Sequence, residues 1–210
     1  MTEAEWLACD DPEKSLGWLV LEKASLRKLR LFSVACGRHV WASLSDSRSR
    51  NAIEVAERFA DGLATPNELS LAHDAASALN GDLCGTDDGV CTAAAIASAD
   101  VCTEVHPVTN CASAAVPGPS IVERSSQADF VREIFGNPFR RVAFDPAWNT
   151  VTATSLAQAI YDDRAFDRLP ILADALEDAG CTNRDILDHC RLPGEHVRGC
   201  WVVDLVLGKS

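Results

Sequence analysis

The stretch Ser25–Trp41, SLRKLRLFSVACGRHVW, decides the fold class. Leu26, Leu29, Phe32, Val34, Cys36, Val40 and Trp41 recur at helical spacing and mark a broad apolar face, while Arg27, Lys28, Arg30 and Arg38 line the opposite one. Ser25 stands where an N-cap belongs. Upstream, Thr2 and Glu5 have the spacing of a capping box, and Asp11-Pro12 pairs a capping carboxylate with a residue that loses nothing by lacking an N–H at the first helical position. Downstream, Asp46 to Arg50 opens a helix through Ile53, Val55, Ala56 and Phe59 that Gly62 ends. Thr65-Pro66-Asn67-Glu68 repeats both start signals and predicts a helix to about Leu79, broken by Asn80-Gly81.

The same pattern returns from Ser126. Ala128, Val131, Ile134 and Phe135 predict a helix stopped by Gly136-Asn137-Pro138. Phe139 to Trp148 reads as an extended connector whose aromatic residues, Phe139, Phe144 and Trp148, pin it to the helices. Helices follow over Thr152–Tyr161 and from Pro170 to Gly180. Period-two alternation is confined to Arg141–Phe144 and Val202–Leu205. The expectation is a mainly α protein, with bundle-like helical regions over 1–80 and 127–210 joined by a variable, Cys- and Ala-rich acidic segment over 81–126. That segment holds Cys84, Cys91, Cys102 and Cys111 at spacings wider than the paired ligands of a zinc finger, and its lack of bulky apolar residues predicts loose packing.

Composition narrows the function classes. The net charge is −12, and the stretch Phe59–Glu123 has nine Asp and Glu with no Lys or Arg. Such a chain repels phosphates, so neither nucleic acid nor an anionic membrane is an expected partner. Nine cysteines without regular close spacing, and no leader-like or membrane-spanning stretch, lead us to expect a cytoplasmic protein with reduced, mostly buried thiols.

The chemistry-bearing residues concentrate in Cys181–Trp201, CTNRDILDHCRLPGEHVRGCW. Cys181, Cys190, His196 and Cys200 are the candidate ligands of a tetrahedral zinc ion, with Pro193-Gly194 turning the second pair back on the first. His189 is an alternative to Cys190, because adjacent helical residues point about 100° apart. The competing reading packs these cysteines and Trp201 into a core, and it is the one we favour. Two further groups carry reactive side chains. Cys36 and His39 share a helix face but lack an orienting carboxylate, and Asp162, Asp163, Asp167 and Asp174 are readily paired with Arg164 and Arg168. With no complete catalytic set, the favoured expectation is a non-catalytic interaction or regulatory module that presents an acidic helical surface to a protein partner and needs no cofactor. The alternative is a zinc-binding or thiol-dependent enzyme using the terminal Cys/His block.

The blocks KASLRKLRLFSVACGRHVW (23–41), RSRNAIEVAERFADGLAT (48–65), REIFGNPFRRVAFDPAW (132–148), LAQAIYDDRAFDRLPILADALEDAGC (156–181) and HCRLPGEHVRGCWVVDLVLG (189–208) resemble a large paralogous family of planctomycete bacterial proteins with no established activity. The resemblance implies a cytosolic bacterial protein whose middle segment is the variable part. This chain departs from the family at Cys36-Gly37, where a Cys-Cys pair is common, so a paired-thiol role there is not expected.

Overall fold

The computed structural model describes residues 1–22, 24–78, 120–140 and 142–209. Among these, ten α-helices and three short 3-10 turns occur, and no strand. The chain is mainly α, as its periodicity predicts. Most of the variable segment, 81–126, falls outside the described residues, as does the end of the fifth helix at Leu79. Two compact units divide the chain, Met1–Val131 and Arg132–Ser210.

The first unit contains α1 (Glu3–Leu7), α2 (Pro12–Leu21), α3 (Leu26–His39), α4 (Ser47–Ala60), α5 (Pro66–Ser77) and most of α6 (Ser120–Phe135). Local chemistry places the starts. The capping boxes Thr2/Glu5 and Thr65/Glu68 both form, and the Asp11 side chain accepts from the backbone N–H groups of Glu13 and Lys14. Ser25 occupies the N-cap of α3 but makes no capping bond with its side chain, and the helix is held by burial of the consecutive residues Leu29–Gly37, with Leu26 left exposed. Gly62, at φ +72°, ends α4 by turning the chain so that Leu63 N–H reaches back to Arg58 C=O.

Val34, Leu44, Ile53, Val55 and Leu69 form the core of the packed set α3, α4 and α5. Gly37 allows the closest approach, since a Cβ there would lie 2.7 Å from Ile53 Cδ1. Arg38 bonds the buried Glu57 carboxylate at 2.8 Å and stacks on Trp41. Arg50 also lies over Trp41. Helix α6 begins at Ser120, six residues before the expected start, and its first turns are tied to α2 by Arg124, which bonds Asp11 at 2.9 Å and Glu13 at 3.3 Å.

The second unit packs α7 (Val151–Asp163), α8 (Leu169–Asp178), α9 (Arg184–Arg191) and α10 (Trp201–Leu207) around Ile160, Tyr161, Leu169, Leu172, Leu176 and Val203. Thr150 and Asn183 cap α7 and α9, accepting from Ala153 N–H and Ile186 N–H. Phe144 and Trp148 meet edge-on and pack against this core. Phe139 remains the most exposed of the connector's three aromatic residues. Val202–Leu205 lies within α10, where the apolar run serves a helix with no exposed residue.

Candidate metal centre

Four side chains with metal-ligand chemistry converge in the second unit: Glu133, His189, His196 and Cys200. Glu133 sits in the last turn of α6, just before the chain turns at Gly136 with φ +66°. His189 is on α9, which Asn183 starts and whose Ile186, Leu187 and Cys190 are buried. His196 comes from the connection after α9, and Cys200 is the N-cap of α10. One donor atom from each of the four lies within 4.8 Å of every other.

Glu133 is the hub. Its Oε1 lies 3.0 Å from His196 Nδ1, and its Oε2 lies 3.2 Å from His189 Nε2. A carboxylate has no proton to give, so both ring nitrogens donate to it. His189 Nε2 also lies 3.3 Å from Cys200 Sγ. The Glu133 side chain is only 6% exposed and Cys200 is fully buried, while the two imidazoles, at 18% and 12%, form the outer edge.

Burial alone would raise the Glu133 carboxyl, but hydrogen bonds from His189 and His196, and the positive charge those rings can carry, outweigh it and hold the group below its ordinary value. The thiols move the other way. Burial, followed by the nearby Glu133 charge, pushes Cys190 up to about 12 and Cys200 well above a free thiol. Without a metal, both are therefore neutral thiols at physiological pH, unlike an activated nucleophile.

Aromatic packing holds His189 in place. Its ring meets His196 edge-on at 5.2 Å and Trp201 at 5.1 Å between centroids. Trp201 in turn rests on the backbone of Gly136, where a Cβ would come within 3.1 Å of the indole.

Of the four ligands expected from the sequence, the structure brings together His196 and Cys200. Cys181 and Cys190 stand outside the group, as members of the hydrophobic core. His189, the alternative to Cys190, takes the place beside Cys200, because of the two neighbours on α9 the histidine faces Glu133 and the cysteine faces the core. Glu133 was missed. Its one signal in the sequence is a carboxylate set between the core positions Val131 and Ile134, where no nearby residue announces a partner.

The other candidate groups lie outside this set. Cys36 is buried, while the His39 ring packs edge-on against Phe130. Asp174 pairs with Arg191 rather than with Arg164 or Arg168, and Asp162 accepts from Gln158.

Zinc bonds of about 2.0–2.2 Å to nitrogen and oxygen and about 2.3 Å to sulfur place tetrahedral donors roughly 3.3–3.6 Å apart. The observed contacts of 3.0, 3.2 and 3.3 Å are close to that spacing. All donor separations lie within 4.8 Å, so to surround an ion the short contacts would open slightly and the longer ones would close. No protein-family model matches the chain, and neither a curated protein nor a solved structure matches it. The site's chemistry is accordingly read from its own geometry.

Proposed function

We propose that the Arg132–Ser210 unit is a metal-binding unit in which Glu133, His189, His196 and Cys200 hold one zinc ion in a structural, non-catalytic role. The observation that supports this is the convergence of an oxygen, two nitrogens and a sulfur within 4.8 Å, contributed by segments that lie 63 positions apart at Glu133 and His196. Imidazole and thiolate together favour a borderline ion such as zinc over magnesium or calcium, which take oxygen donors. Four protein ligands complete a tetrahedral shell and leave no position for substrate, which is the arrangement of a structural site. Charge balance supports the same reading: the carboxylate and a deprotonated Cys200 neutralise a dication inside a buried pocket.

The test is metal content after purification and zinc back-titration, read by mass spectrometry under non-denaturing conditions. One ion per chain, lost in His196→Asn and in Cys200→Ala, is expected. A wild-type chain that takes up no zinc overturns the proposal.

A further inference from the structure

The His189 ring touches aromatic groups on two sides, His196 and Trp201, and directs Nε2 toward both Glu133 and Cys200. Rotation of that ring would carry Nε2 out of the donor group. Trp201 directly follows Cys200 in the chain and is half-buried, so it is not a pure core residue. Its indole lies against Gly136, three residues after Glu133, and no residue with a Cβ fits there without displacing the ring. The indole therefore contacts one ligand, His189, and rests on the turn that follows another.

From this packing we infer that Trp201 is a positioning residue of the metal centre, which fixes the His189 imidazole in its ligating orientation, and that Gly136 provides the seat for the indole. The inference rests on the zinc reading above and adds to it a residue that donates nothing to the ion. Outer-shell hydrogen-bond partners of metal ligands contribute about 10- to 100-fold in affinity, and a ring contact that orders the same ligand acts by the same route, because a ligand free to turn must be ordered each time the ion binds.

The experiment uses cobalt(II) as the probe, titrated into the full chain and followed by its visible absorption. Wild type is compared with Trp201→Leu, Trp201→Phe and Val206→Ala, the last removing core volume from the same helix away from the donor set. Trp201→Leu should weaken cobalt binding by about 10- to 100-fold and alter the absorption envelope. Trp201→Phe should restore most of both, and Val206→Ala should lose thermal stability while keeping wild-type affinity and spectrum.

If wild type binds no cobalt, the metal reading itself fails. If wild type binds and Trp201→Leu matches it in affinity and spectrum, only the positioning role fails. A folding failure of Trp201→Leu is covered by a measurement on wild type, the indole N–H resonances of its five tryptophans during zinc loading. The Trp201 resonance should shift most, and a Trp201 signal that stays in place overturns the inference.

Discussion

Replacing Glu133 with glutamine keeps the shape of the side chain and removes its charge, so it separates what the carboxylate does for the fold from what it does for a metal. In the metal-free chain, the amide oxygen still accepts from one histidine while the other imidazole must change tautomer to accept from the amide NH2, so both charge-assisted bonds become neutral ones. A charge-assisted bond contributes about 1 kcal/mol more than a neutral bond, for a loss of roughly 2 kcal/mol. Relief from burying a charge offsets part of this, leaving a net cost of about 1 kcal/mol.

The effect on zinc is larger. At free zinc one hundred times the dissociation constant, binding to the folded state alone adds about 2.7 kcal/mol. A unit of this size gains about 4–8 °C per kcal/mol, so loading should raise the melting temperature of the wild-type C-terminal unit by on the order of 10–20 °C. Differential scanning calorimetry with zinc and with chelator reads both effects. Glu133→Gln should melt slightly below chelated wild type and gain little from zinc. An equal zinc-induced gain in the two proteins would refute the role of Glu133 as a ligand, and no gain in wild type would refute the centre as a whole.

Gly37→Ala forces a methyl group against the fully buried Ile53 and should destabilise the N-terminal unit by about 1–2 kcal/mol, measured by urea unfolding. Asn183→Ala removes the cap of α9, the helix that carries His189, and should cost about 1 kcal/mol in the same assay. Cys181→Ala and Cys190→Ala should each cost about 1–2 kcal/mol through the small cavity left behind, yet retain one zinc per chain, because both thiols belong to the core rather than to the donor group.

The helical elements were legible wherever their signals are local. The Thr2/Glu5 and Thr65/Glu68 boxes, the Asp11 cap and the stop at Gly62 depend on residues within one turn, and each forms as read. The early start of α6 was missed although Ser120 and Glu123 have capping-box spacing, because the apolar periodicity that marks the helix begins only at Ala128, and the segment is tied to α2 through Arg124. The candidate site was half legible. His196 and Cys200 stand out by residue type and spacing, and the choice between His189 and Cys190 depends on which face of α9 meets the core. Glu133 could not be found by spacing, since its partners lie more than fifty positions away and only tertiary packing brings them to it. Trp201, expected to close the core, does pack against it while staying half-buried, with its indole also against His189 and Gly136.

The most direct test of the metal centre is anomalous scattering at the zinc edge from crystals of the zinc-loaded protein. A single peak is expected within about 2.0–2.3 Å of Glu133, His189 Nε2, His196 Nδ1 and Cys200 Sγ. A peak ligated by Cys181 or Cys190, or no peak while Glu133 still joins the two histidines by hydrogen bonds alone, would contradict it.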